Sequence, residues 1–197
     1  MTTSDSFEHE IKAFFLREKI RFVDASSSYD RLDFTIQNKS GQPAFHLDAK
    51  EKRQRYAMAN WPKFARESDL FILDDLTVRK CLAFAPRSGI LIRDNLRNAY
   101  IFFSVVDLAL MPRKRVNRII DNRKTEVKGK WLINLRNGQT FSSLDDSILH
   151  IRRFTRDLNG ILFDTLACHG EYVEERVELG GATRKPSHWE EDIRSTR

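Results

Sequence analysis

Asp33, Asp48 and Lys50 are of the residue types that hold a metal ion and activate water, and their spacing sets all three on one face of a β-hairpin. Apolar residues fall at every second position around them: Leu32, Phe34 and Ile36, then Phe45, Leu47 and Ala49. That is the period of a half-buried strand. The alternate positions, Asp33, Thr35, Gln37, His46, Asp48 and Lys50, share the other face. Between the runs, Asn38-Lys39-Ser40-Gly41-Gln42-Pro43 is a cluster of turn residues that predicts antiparallel pairing. A turn centred near Ser40 and Gly41 puts Asp33 opposite Asp48, with Lys50 two residues further along the same face. Two carboxylates directly across a strand pair repel each other unless a cation or a proton lies between them. A polar hairpin face usually just meets water. Asp, however, is depleted from strands, and here it occurs twice in register beside a lysine, which favours chemistry.

The elements around the hairpin have to position these groups. An amphipathic helix is expected from about 6 to 18, with Phe7, Ile11, Phe14 and Phe15 in one stripe and Ser4, Asp5 or Ser6 accepting its first free amides. Glu8 and Glu10 flank that stripe on opposite sides, so each can reach the edge of a site. After the hairpin the chain turns polar and basic, and a helix is expected over part of 60–68, with Asn60 as cap and Pro62 in its first turn. Residues 70–73 and 81–85 read as two adjacent strands, with Asp74-Asp75 as turn chemistry between them. Residues 89–92, 100–106 and 130–136 supply further strands, the last leading into the hairpin signal Asn137-Gly138. Ser143 caps a long helix, with Asp146 at the third position of the cap and apolar residues running on to Leu166 before Gly170. The fold class is therefore α/β (α+β), a central mixed β-sheet flanked by helices. One domain is expected over 1–170, with a core of about 5–110, an extension of about 111–170 and a loose polar tail over 171–197.

Composition narrows the classes further. A hydrophobic content of 41% with 14 Phe supports a packed core. The two cysteines, Cys81 and Cys168, lack the paired spacing of a zinc site and read as reduced thiols. The start lacks the basic residues and apolar run of a secretory signal, and the apolar stretch 100–111 is interrupted by Ser104 and Asp107 and too short for a bilayer. A cytoplasmic protein with no membrane partner is expected. The formal net charge is +6, and the window 112–130 holds all of it, with eight Lys or Arg against Asp121 and Glu126. A concentrated basic segment suits a polyanion, because each neutralised phosphate releases counterions; a solvated, solubilising face is the alternative. Cys168-His169 are helix neighbours that point apart, and no Gly-rich phosphate loop or serine elbow occurs.

With an acid-bearing helix followed by this hairpin, the sequence resembles the PD-(D/E)XK nuclease superfamily, whose fold is restriction-endonuclease-like. That pattern has an Asp on one core strand, then an acidic residue, any residue and a Lys on the next. Asp33 stands for the first acid, Asp48 for the second and Lys50 for the lysine. Many members carry a Glu on the first helix, for which Glu8 ranks before Glu10. Leu32 stands where the name-giving motif has Pro. The resemblance covers about residues 5–75 and implies a metal-dependent endonuclease hydrolysing phosphodiester bonds of DNA, with Mg²⁺ as cofactor and Mn²⁺ as substitute.

The residues support that chemistry on physical grounds as well. Hard oxygens from Asp33 and Asp48, with the Ala49 carbonyl as a third ligand, suit Mg²⁺. Lys50, kept cationic by the carboxylates, can orient water and stabilise charge on the phosphate. Glu8 would act through a water or a second ion, and His46, in second rank with Glu10, would touch substrate. Lys52, Arg53, Arg55, Arg113, Lys114, Arg115, Arg118, Arg123 and Lys124 are expected to hold the phosphate backbone, of DNA before RNA. A homodimer, or a partner protein that supplies recognition, is compatible with this reading. Two alternatives stand beside it: a nonenzymatic nucleic-acid-binding or assembly module with a vestigial acidic site, and an interaction module for an acidic protein.

Overall fold

A computed structural model describes residues 6–120 and 123–158, with the side chains of 118–127 outside that description. The chain is a mixed α/β fold in which a six-stranded sheet carries helices on both faces. Its strands are β1 (Phe22–Asp24), β2 (Phe34–Gln37), β3 (Pro43–Lys52), β5 (Ser88–Asp94), β6 (Ala99–Ser104) and β9 (Gln139–Phe141), in the order β1-β2-β3-β5-β6-β9. The β3–β5 pair is parallel and its neighbours are antiparallel. A second sheet of three strands, β4 (Leu70–Asp74), β7 (Arg113–Ile120) and β8 (Arg123–Asn134), has the order β4-β8-β7.

Parallel neighbours need a crossover, and here β4 and the helix α2 (Asp75–Ala83) make it. One face of the large sheet is closed by α1 (Phe7–Arg17) and α4 (Leu144–Asp157), through a core that includes Phe7, Ile11, Phe15, Phe34, Phe45, Leu47, Ile151 and Phe154. Each such side chain contributes roughly 1.5–3 kcal/mol on burial. The other face meets α2, the short helix α3 (Val105–Leu110) and the second sheet, through Ile90, Ile92, Phe103, Val78, Cys81, Leu73 and Ile133. Because side chains alternate along β3, Phe45, Leu47 and Ala49 enter the first core while Asp48 and Lys50 point toward α2.

The hairpin forms as expected, and Asn38 shapes its turn. Asn38 Oδ1 accepts the Ser40 amide at 3.0 Å and the Gln42 amide at 2.9 Å, and Gly41 adopts φ +81°, a conformation open to glycine. The pairs Phe34↔Leu47, Thr35↔His46 and Ile36↔Phe45 keep the expected register, and Asp33, one residue before β2, meets β3 through the Ala49 amide. Ser6 and Ser143 cap α1 and α4, the latter accepting the Asp146 amide at 3.1 Å.

Several sequence expectations are corrected. Residues 81–85 are not a strand. Asp74 and Asp75 open α2, whose Val78 and Cys81 lie on one buried face at helical spacing. The strand expected over 100–106 stops at Ser104, which with Asp107 forms the capping box of α3. In place of a helix over 60–68 there is a single 3-10 turn, Met58–Asn60. Asn137-Gly138 does not fold β9 back on β8: β9 pairs with β6 in the other sheet. A Cβ on Gly138 would lie 2.7 Å from the Phe103 ring, so glycine serves here as a close approach to β6. The expected run of the last helix to Leu166 and Gly170, and the tail, lie outside the described residues.

Candidate active site

The three hairpin residues converge on one ammonium. Lys50 Nζ lies 2.5 Å from Asp48 Oδ2 and 3.7 Å from Asp33 Oδ2, and donates to the Ala49 carbonyl at 3.1 Å. All three oxygens assigned as metal ligands from the sequence thus face a single cation. Exposure is graded along the group: the Asp48 side chain is 3% exposed, Asp33 15% and Lys50 29%. The gradient follows from α2, which covers Asp48 and leaves Lys50, one strand repeat further out, at the mouth of a cleft.

Burial sets the electrostatics. Loss of water, and then the charge of Asp33, push the Asp48 carboxyl up to about 6, against the opposing pull of Lys50. Burial alone would lower the Lys50 amine, but Asp48 and Asp33 outweigh it and hold the ammonium above its ordinary range, with Glu8 adding to them. Glu8, in the first turn of α1, is therefore near enough for its charge to act on Lys50. Glu10 goes elsewhere. It accepts from the Tyr100 hydroxyl at 2.6 Å and pairs with Arg93, which also pairs with Glu51.

Asp48 Oδ2 is buried, and the partner that faces it is the Lys50 ammonium. A buried carboxylate needs a cation beside it, a place that Lys50 fills here and that a metal ion would share. The donor set of two carboxylates and a main-chain carbonyl is all oxygen, as Mg²⁺ or Mn²⁺ requires, and is short enough to leave room for waters. Among the described residues no group of three His, Cys, Asp or Glu side chains gathers, so Glu8 is not a third direct ligand to the same point.

From Lys50 a cleft of about 570 Å³ runs along the N-terminal part of α2 to the β7–β8 ribbon. Its walls include Tyr29, Arg79, Lys80, Arg115 and Lys128. Asp75 joins the two walls, accepting from Trp131 Nε1 at 2.8 Å and pairing with Arg79 at 2.6 Å and Arg115 at 3.3 Å. Asp74 pairs with Lys130 at 2.5 Å.

The remaining sequence candidates divide. Lys52 is a correction: it is buried, and its amine donates to the carbonyls of Glu67 and Ser68, both at 2.8 Å, so it holds a loop and is out of reach of a phosphate backbone. Arg53 and Arg55 are exposed, Arg53 beside Glu51. Arg113 lies over the Trp131 ring at 5.0 Å and donates to the Ala109 carbonyl, which ties the ribbon to α3. Lys114 is partly exposed, and Arg115 lines the cleft. The side chains of Arg118, Arg123 and Lys124 lie outside the described residues. His46 stacks on Phe84 at 4.0 Å and bonds Thr35 at 3.1 Å, and burial lowers its pKa, so it is a packed structural residue away from the cleft. Lys128 belongs to the basic 113–130 window expected to hold phosphate, whereas Tyr29, Arg79 and Lys80 were not singled out; the last two lie on α2, whose end was read as strand.

The chain matches no family model and no curated protein. Among solved structures it resembles a nuclease from a fusselovirus, with a TM-score of 0.46 and 11% identity, over 76% of this chain and 88% of that one. That likeness is too loose to transfer any residue or role. Among the described residues no helix is long and apolar enough to cross a membrane.

Proposed function

We propose that this protein is a metal-dependent nuclease of the PD-(D/E)XK type that hydrolyses phosphodiester bonds of DNA. The observation that carries the reading is the convergence of Asp33, Asp48 and the Ala49 carbonyl on Lys50 at the head of a basic cleft. Asp33, Asp48 and the Ala49 carbonyl would hold Mg²⁺ or Mn²⁺, which when bound supplies charge neutralisation at the scissile phosphate and a more acidic water. Lys50 then turns to the phosphate and to the attacking water, where a fixed cation is worth most against the charge that builds in the transition state. Glu8 tunes Lys50 from the helix side. Arg79, Lys80, Arg115 and Lys128 bind the phosphate backbone and set its register without reading sequence.

The test is cleavage of labelled DNA by the purified protein with Mg²⁺ or Mn²⁺. Asp33→Asn, Asp48→Ala and Lys50→Ala are each expected to abolish cutting, while the other cations of the cleft still bind DNA. Binding with no cleavage of any DNA or RNA form would instead establish a nonenzymatic module on the same fold.

A further inference from the structure

Tyr29 is 79% exposed and stands in the wall of the cleft that Lys50 opens into. The Lys80 ammonium lies 5.3 Å from the centre of its ring and donates to the Arg31 carbonyl at 2.9 Å. That bond anchors Lys80 to the segment between Tyr29 and Asp33. The charge of Lys80 also reaches Asp48. An exposed aromatic ring beside cations in a narrow cleft is how proteins engage unpaired nucleic acid: the base stacks on the ring and the groove tracks the backbone. A cleft of about 570 Å³ falls in the range that encloses small molecules and takes nucleotides of one strand. A duplex keeps its bases stacked in the helix and offers no free base face to Tyr29.

We propose that Tyr29 and Lys80 form a subsite for an unpaired nucleotide, the base stacked on Tyr29 and its phosphate held between Lys80 and Lys50, so that this cleft selects a single strand or an unpaired end of DNA. The proposal rests on the nuclease reading only for what happens at Lys50; the stacking does not depend on it.

The experiment is fluorescence anisotropy of the whole protein in EDTA, where no cutting occurs, with a short single-stranded DNA oligonucleotide and a blunt duplex of the same length. The single strand is expected to bind more tightly. Tyr29→Ala should weaken single-strand binding about tenfold, within the range of base stacking, and leave duplex binding as it was. Tyr29→Phe keeps the ring and should restore the affinity. Lys80→Ala should reduce the salt slope of single-strand binding by about 0.7 for the lost phosphate. Equal affinity for the two forms, full affinity in Tyr29→Ala, no rescue by Tyr29→Phe, or an unchanged slope in Lys80→Ala would each overturn the proposal. If the Tyr29 dependence holds while the wild-type protein cuts nothing with Mg²⁺ or Mn²⁺, the subsite stands and the nuclease reading falls.

Discussion

Asp33 Oδ2 accepts the Ala49 amide at 2.8 Å, so a carboxylate just before one strand of the hairpin is fixed by the backbone of the other, one residue past Asp48. On the proposed reading Asp33 therefore has a structural and a catalytic function that substitution can separate. Asparagine keeps an oxygen for the Ala49 amide and removes the charge, whereas alanine strands a buried amide at a cost of about 1–3 kcal/mol. Asp33→Asn should keep wild-type stability and lose cleavage; Asp33→Ala should lose both. Urea denaturation beside a cleavage assay reads this, and full activity in Asp33→Asn would reduce Asp33 to a structural role.

Asp48 gives a pH dependence with a defined sign. Its folded pKa of about 6 lies above the unfolded value of about 3.9. The folded state thus holds this proton more tightly, and the resulting stability is fully present below about 3.9 and lost as pH rises through about 6. A cation on the same carboxylate competes with the proton. Mg²⁺ should therefore raise the melting temperature more at pH 7 than at pH 5, and Asp33→Asn should move the Asp48 midpoint, followed by carboxyl NMR, downward. A Mg²⁺ shift as large at pH 5 as at pH 7 would rule out Asp48 as a ligand.

The hairpin was legible in the sequence because its information is local. A period of 2 set the faces, Asn38 and Gly41 set the turn, and the two together bring Asp33 and Asp48 to the same Lys50. The cleft was not legible, because it is made by elements distant in sequence. Residues 81–85 are apolar enough to read as strand, yet only Cys81 of them is buried, under Asp48; the helix shows in the spacing of Val78 and Cys81 after Asp74-Asp75. Lys52 misled for the opposite reason: it sits in a basic run, but the loop at 67–68 folds its carbonyls over the ammonium, which no local pattern announces.

Lys52→Met tests that burial. It removes the donor of two backbone carbonyls but keeps most of the packing volume, so the cost should be that of unsatisfied acceptors, about 1–3 kcal/mol. DNA binding at fixed salt, and its dependence on salt, should stay at wild-type values, unlike those of Arg115→Ala. Anisotropy titrations across a salt series decide it: a smaller slope in Lys52→Met would return Lys52 to the DNA surface.

Gly129 tests whether the ribbon must sit where it does. A Cβ there would lie 3.0 Å from Asp75 Cβ and 3.2 Å from Arg115 Nη2, tighter than ordinary contact, at the point where β8 meets the start of α2. Gly129→Ala should push the ribbon outward and loosen the Trp131 and Arg115 bonds to Asp75. Overpacking of this kind costs about 1–3 kcal/mol. No charge is lost, so the electrostatic attraction of the cleft remains while its width changes. The expected result is a lower melting temperature with weaker DNA binding at an unaltered salt slope. Wild-type affinity in a variant that has lost stability would show that the ribbon's position does not matter to binding and that its charges act at long range alone.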